Sequence, residues 1–368
     1  MNTPTKWIIG IVVIILVFVA VIWKQPTATS STTQPFKIGS MIPLSGEYAD
    51  LGEEVKKGAD IAVAEADGRG ETVEYISEDD GLVPQKEAGA ANKLTQIDQV
   101  DVAFTATVQE VKATDRIFNT AKIPLLSAWD SNEYIKTAGN YIYSVGFSTE
   151  AAGGTMAEHA YSKLGLKKIS VVYIEDEWSK IITDAFEKKY RELGGTILGS
   201  EKTLGTQKDY RSLIAKAKAA GAEGIYFPLF PNYCGAFMKQ ARELGYKGVL
   251  MTGDSLTDGD VAIAGKAAEG AYATMLFGDN LSHVTDTYQK MYGKAPMLPI
   301  FTAIGYDAVN TLVEAHRIAK KDNVALADAL KQVKLNGAVG SIDMAGKRYH
   351  ERIERINIVK DGKIIELK

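Results

Sequence analysis

Six short stretches hold the residues able to do chemistry: Ser45-Gly46-Glu47-Tyr48, Thr105-Ala106-Thr107-Val108-Gln109, Ser127-Ala128-Trp129-Asp130-Ser131, Glu175-Asp176-Glu177-Trp178, Pro228-Leu229-Phe230-Pro231 and Thr252-Gly253-Asp254-Ser255. A hydroxyl and free N–H groups where a helix opens can hold a small anion, because the first helical N–H groups have no partner in their own helix. Carboxylates offer the opposite charge. Trp129, Trp178 and Phe230 stand where a plain connector would carry water-facing residues, which favours an aromatic-lined cleft between two domains.

No pattern of catalysis accompanies these turns. The chain has no G-x-x-x-x-G-K-[ST], no G-x-G-x-x-G after a strand, no H-E-x-x-H and no G-x-S-x-G. His159, His283, His316 and His350 are scattered, without the spacing of paired metal ligands. Cys234 is the sole cysteine, which excludes a disulfide within the chain, and its neighbours Phe230, Tyr233 and Phe237 mark it as a small buried hydrophobe. Glu78-Asp79-Asp80 and Glu175-Asp176-Glu177 could hold a divalent cation, but both follow strands, where acidic residues cap the next helix, and capping is the preferred reading. A net charge of -4 over 368 residues leaves no basic footprint for nucleic acid.

An alternation of strands and helices positions the six stretches, and it points to parallel sheets covered on both faces. Residues 36–44 read as a strand, and from Leu51 the apolar positions Val55, Ala59, Ala62, Val63 and Ala66 fall at helical spacing. Strands follow at 72–77, 100–106, 123–128 and 141–145, with helices over 84–98 and 111–120. A second series has strands at 168–174, 196–200, 224–230, 249–252 and 271–277, with helices over 177–193, 208–220 and 233–244. Helices over 281–334, including 301–320 and 324–333, have no strands of their own and must pack on an existing sheet. Strands at 352–359 and 363–367 close the chain as a hairpin through Asp361-Gly362. A chain of this length exceeds what one core usually serves, so two domains are expected.

Ahead of this, residues 7–23 (WIIGIVVIILVFVAVIW) form an unbroken apolar run between Lys6 and Lys24. As a helix it spans about 25 Å, with a tryptophan for each membrane interface. It reads as a membrane anchor or an export signal behind a tail of residues 1–6, and the absence of a following cysteine excludes a lipoprotein. Residues 24–35, rich in Ser, Thr and Pro, read as a flexible stalk. The remainder is expected outside the cytoplasm, on the periplasmic or extracellular face of the cell membrane.

The stretch KIGSMIPLSGEYADLGEEVKKGADIAVAEA resembles the opening of periplasmic binding proteins of the branched-chain amino-acid (Leu/Ile/Val) type, the substrate-binding components of ABC transporters. The likeness continues through YISEDDGLVPQKEAGAANKLTQIDQVDVAF, IPLLSAWDSNEY, KKISVVYIEDEWSKIITDAFEKKYRELGGTI, DYRSLIAKAKAAGAEGIYF and QARELGYKGVLMTGDSL. It implies two Rossmann-like lobes joined by three crossovers near Gly146, Gly278 and Gly340: residues 36–146 with 279–339 as the first lobe, and 147–278 with 340–368 as the second. It also implies a ligand site built by Ser45, Tyr48, Leu51, Thr107, Val108, Gln109, Trp129, Asp130, Ser131, Trp178, Phe230 and Asp254. In relatives, first-lobe N–H groups and hydroxyls hold the ligand's carboxylate, and carboxylate and carbonyl oxygens hold its ammonium. Asp254 matches the acidic residue of the second lobe, with capping of a helix near Thr257 as its alternative.

Three departures bear on the ligand. The run after the third strand is Ala-Thr-Val-Gln-Glu, with fewer hydroxyls than the Ser/Thr run of the branched-chain binders, and Trp129 replaces a small residue. Leu51 also stands where relatives carry an aromatic. These changes point away from leucine, isoleucine and valine, toward a different amino acid, an amide or an aromatic acid. The expectation is a monomeric, non-enzymatic solute-binding protein without cofactor or metal, serving a membrane permease of the ABC class. A ligand-sensing ectodomain is the alternative.

Overall fold

Strands that read as near-continuous apolar runs belong in parallel sheets buried on both faces. The computed structural model, which describes residues 34–275, 280–350 and 355–367, arranges them so. The strands in chain order are β1 (Phe36–Ile42), β2 (Val73–Asp79), β3 (Val102–Thr105), β4 (Leu125–Ser127), β5 (Asp130–Ser131), β6 (Ile142–Ser144), β7 (Phe147–Ser148) and β8 (Lys168–Ile174). They continue with β9 (Thr196–Thr203), β10 (Gly224–Tyr226), β11 (Val249–Thr252), β12 (Tyr272–Met275), β13 (Lys334–Gly337), β14 (Gly340–Asp343), β15 (Arg355–Lys360) and β16 (Lys363–Glu366).

One sheet is parallel throughout, in the order β2-β1-β3-β4-β6. The other runs β16-β15-β12-β11-β10-β8-β9, parallel from β9 to β12 and antiparallel where β15 and β16 extend it. Alternate residues of a strand point to opposite faces. In β3, Val102 and Phe104 enter one apolar cluster and Ala103 the other; in β8, Val172 and Ile174 part in the same way from Ile169 and Val171. Each sheet therefore carries a core on both faces. The closing hairpin turns through Asp361 and Gly362, both at positive φ, as its Asp-Gly pair anticipates.

Helices after residue 280 return to the first sheet. Helix Pro299–Asp322 crosses helix Ala49–Gly68 so closely that a Cβ at Gly58 would lie 1.7 Å from the Thr302 carbonyl oxygen, and one at Gly305 1.9 Å from that of Val55. Glu54, buried on the first of these helices, accepts hydrogen bonds from Tyr288 Oη at 2.8 Å and Thr302 Oγ1 at 2.7 Å. It thereby ties helix Leu281–Tyr292 into the same packing.

Several expectations need correction. The strand expected over 224–230 stops at Tyr226, because Pro228 has no N–H to give the ladder. The helix expected over 84–98 is α-helical only over Pro84–Asn92 and then widens to π turns over Lys93–Asp98. Helix Thr149–Glu158, rich in Ala and Gly, shows no polar–apolar stripe in the sequence, yet packs on helix Glu177–Glu192 so tightly that a Cβ at Gly153 would meet the Ile182 carbonyl oxygen at 2.1 Å. The passage expected at Gly340 comes too early. β14 pairs with β13, Ile342 and Met344 join the first sheet's core, and Ser144 of β6 exchanges backbone hydrogen bonds with Arg348 and His350 at 3.0 and 2.9 Å. The chain thus stays with the first sheet as far as His350. The passage expected near Gly278 and the apolar run 7–23 lie outside the described residues; among those described, no helix is long and apolar enough to cross a membrane.

Candidate functional site

The strand order reverses beside β1 and β3 in one sheet and beside β8 and β10 in the other. Crevices beyond the carboxyl ends of strands at such points are where α/β sheets bind ligands. Here both crevices open on one cavity of about 420 Å³. The first sheet contributes Glu47, Tyr48 and Leu51 after β1, Thr107, Val108 and Gln109 after β3, and Trp129, Asp130 and Asn132 after β4 and within β5. The second contributes Glu175 to Trp178 after β8, and Phe230 and Pro231 after β10.

Nine of the twelve residues expected to bind a ligand line this cavity: Tyr48, Leu51, Thr107, Val108, Gln109, Trp129, Asp130, Trp178 and Phe230. Ser45 does not. It is turned to Asp79, which accepts from its Oγ at 2.5 Å and from its N–H at 3.0 Å, so its polar groups serve the turn. Ser131 is buried in β5 beside Ser148 of β7. Asp254 lines a second cavity of about 200 Å³, which shares Trp129 with the first. Its alternative role also fails, since Thr257 and Asp260 cap helix Asp258–Ala264 reciprocally without it.

Two N–H groups that the loop after β3 was expected to offer a ligand are already occupied. Val108 N–H donates to Asp130 Oδ1 at 2.7 Å, and Thr107 N–H to the Glu110 carboxylate. Thr107 and Glu110 stand in the reciprocal arrangement of a capping box, but the Glu110 N–H meets Thr107 Oγ1 too loosely for a hydrogen bond, and among the described residues that buried hydroxyl makes none. Thr149 Oγ1, Asp176 Oδ2 and Trp178 Nε1 share that condition along the same cavity. Asp176 spends its other oxygen on the Ser179 N–H at 3.0 Å, so it does cap helix Glu177–Glu192. In the other acidic cluster, Asp79 and Asp80 accept from the N–H groups of Leu44, Ser45, Gly81 and Leu82 and so hold turns instead of a helix. Among the described residues, no group of three or more His, Cys, Asp or Glu side chains is arranged to hold a metal.

Burial shapes the electrostatics. It pushes the Asp130 carboxyl up to about 7, tempered by the Val108 N–H and reinforced by Glu177. Asp176 rises to about 6, again chiefly through burial. Asp254 is pushed to about 7 by burial; the Trp178 indole N–H faces it closely enough to temper that rise but makes no hydrogen bond, and the Asp130 charge adds to it. Aromatic rings form one wall, with Trp178 stacked on Phe230 at 5.7 Å and Tyr48 edge-on to Phe230 at 5.3 Å. Contacts between the two sheets' turns frame the mouth: Lys112 pairs with Glu177, and Tyr233 Oη donates to Glu47 at 2.8 Å.

No sequence pattern marks Thr149, whose place depends on where the chain passes from β6 to β7. Asp176 and Glu47 stand in strand-end turns that the sequence marks, Asp176 there with helix capping as its preferred reading.

A family model described as periplasmic binding protein matches residues 35–360. A Leu/Ile/Val-binding protein homologue of Brucella melitensis is 27% identical over 323 residues, covering 83% of this chain and 86% of its own length. Among solved structures, a leucine-binding protein of Thermotoga maritima superposes with a TM-score of 0.76 at 24% identity, covering 90% of this chain and 97% of that one. A branched-chain amino-acid transporter substrate-binding protein of Streptococcus pneumoniae, in complex with isoleucine, gives 0.77 at 22% identity over 90% and 98%. A solute-binding protein of Rhodopseudomonas palustris, in complex with benzoate, gives 0.77 at 20% over 90% and 95%. With two α/β sheets, one parallel and one parallel but for its closing hairpin, facing one cleft, and a family match over nearly its whole folded part, the chain belongs to the periplasmic binding protein family, a family of solute-binding proteins with the type I fold.

Proposed function

We propose that this protein captures an amino acid or related small molecule outside the cytoplasm and delivers it to an ABC importer. Residues 36–146 with 279–350 act as one lobe and 147–278 with 351–368 as the other, the last passage lying after His350 and not at Gly340. Residues 7–23 hold the lobes at the membrane, and the working unit is a monomer. The observation that carries the reading is the set of buried polar atoms along the 420 Å³ cavity that make no hydrogen bond among the described residues: two threonine hydroxyls, an indole N–H and a carboxylate oxygen. Buried polar groups are normally satisfied, so four such atoms around one space point to a ligand that completes them.

An amino acid supplies what is missing. Its ammonium suits Asp130 and Asp176, and its carboxylate suits Thr107, Thr149 and the Trp178 N–H. These groups come from both lobes, so all the contacts form together only when the cleft is shut, and binding favours the shut form. The family names above support an amino-acid ligand, and the isoleucine and benzoate held by two structural neighbours bracket the chemistry. A thermal-shift screen against amino acids, amides and small carboxylates tests the reading. One class should raise the melting temperature in a saturable manner; no rise with any of them, or turnover of a bound compound, overturns it.

A further inference from the structure

The cavity lining contains five acidic side chains and, among the described residues, no lysine, arginine or histidine. Two of the five are already neutralised from outside the lining, Glu177 by Lys112 and Glu175 by Lys202 at 2.6 Å. Glu47 accepts from the Tyr233 hydroxyl, which brings no charge. Among the described residues, Asp130, Asp176 and, in the adjoining cavity, Asp254 have no cation within ion-pairing distance, and Asp176 Oδ2 and both Asp254 oxygens are buried without a hydrogen bond. The aromatic wall adds to this field, since ring faces attract cations, most strongly at tryptophan.

We propose that the ligand carries a net positive charge, seated between Asp130 and Asp176 against Trp178 and Phe230. The inference rests on the solute-binding reading above and narrows it to small organic cations. A simple zwitterion brings one ammonium to several carboxylates and adds a carboxylate of its own, so it leaves the wall under-neutralised. An arenecarboxylate adds charge of the wrong sign. A basic amino acid satisfies every group: its side-chain cation answers the second carboxylate, and its own carboxylate answers the donors that neither aspartate can use. Those donors are Thr149 Oγ1, on a residue 1% exposed, and Trp178 Nε1.

Titration calorimetry on the full chain at pH 8 tests this, with L-arginine, L-lysine and choline as cations, L-leucine and L-phenylalanine as zwitterions, and benzoate as the anion. At least one cation should bind tenfold or more tighter than every zwitterion and than benzoate. Asp176→Asn keeps an acceptor for the Ser179 N–H but loses the charge, and should weaken that cation at least tenfold while the unliganded melting temperature is kept. Asp130→Asn serves as the second variant if the first fails to fold. Tightest binding by leucine or phenylalanine overturns the inference and leaves the amino-acid reading standing. Tightest binding by benzoate overturns the inference and replaces the amino acid with an arenecarboxylate. Binding by no probe overturns both.

Discussion

Asp130 offers the sharpest test of the electrostatics. Its carboxyl is 6% exposed and pushed from an ordinary value of 3.8 to about 7, chiefly by burial. In the unfolded chain it ionises near pH 4, whereas in the folded protein it holds its proton until about pH 7. Folding stability contributed by this group is therefore present below pH 4, falls as pH rises from about 4 to about 7, and is level above that. Roughly three decades of proton affinity correspond to ~4 kcal/mol, an upper figure because buried groups relax when they ionise. Asp130→Asn removes the titration while leaving an oxygen for the Val108 N–H, now bonded at 2.7 Å. Urea unfolding of the unliganded protein and the variant at several pH values should show the variant gaining on the parent between pH 4 and 7, by ~1–4 kcal/mol in total. A difference that stays flat across that window refutes the reasoning and would mean that Asp130 ionises normally. Asp254, held up partly by the Asp130 charge, should also release its proton more readily in the variant.

Three further perturbations follow from other parts of the molecule. Gly305→Ala places a methyl where the Val55 carbonyl oxygen is 1.9 Å away, so the two helices must part; a loss of at least ~1 kcal/mol in thermal or urea unfolding is expected, and an unchanged melting temperature refutes the close crossing. Lys112→Ala and Glu177→Gln each break a pair whose side chains are 34% and 37% exposed, so each should weaken ligand binding less than about fivefold, with the loss vanishing at high salt; a loss above tenfold shows that the pair does more than a screened surface contact. Glu110 is fully buried, and burial, then the Asp80 charge, holds its carboxyl well above the ordinary 4.5, so the parent should lose stability as pH rises above that value. Glu110→Gln keeps an acceptor for Thr107 and should flatten that decline, and melting curves between pH 5 and 8 that run parallel to the parent's would count against it.

The parallel sheets were legible because their strands are short apolar runs between turn residues, and periodicity marks those well. β8 and β11 fall on the expected residues. Helix Thr149–Glu158 was not legible, since a helix that packs through Gly153 needs no apolar stripe to show itself. The site was legible to the extent that strand ends are: nine of the twelve expected residues reach the cavity. Asp254 shows the limit. Its place in the chain, directly after β11, is right for a ligand carboxylate, but it lines the adjoining cavity, and Trp129 and Ser255 line both. Ser45 shows another limit, because its neighbour in space, Asp79, is 34 residues away in the chain.

The same few residues connect the cavity to the passage between the sheets. β5, which carries Asp130, pairs with β7 in a two-residue parallel ladder, and β7 begins directly after Gly146. Backbone approaches so closely there that a Cβ at Gly146 would lie 2.4 Å from the Asp130 carbonyl carbon, while the Gly146 N–H donates to Ser144 Oγ at 3.0 Å. Thr149 follows three residues on, opening the helix that packs against helix Glu177–Glu192 of the second sheet. Trp129 is braced from the other side by Phe301, edge to face at 4.3 Å, and by Phe147 of β7 at 6.5 Å. A ligand seated against Asp130, Trp129 and Thr149 thus touches three residues whose backbones run through or beside the passage. Closure of the proposed lobes then needs no long relay, because the residues proposed to grip the ligand are built into the segment on which the proposed hinge turns.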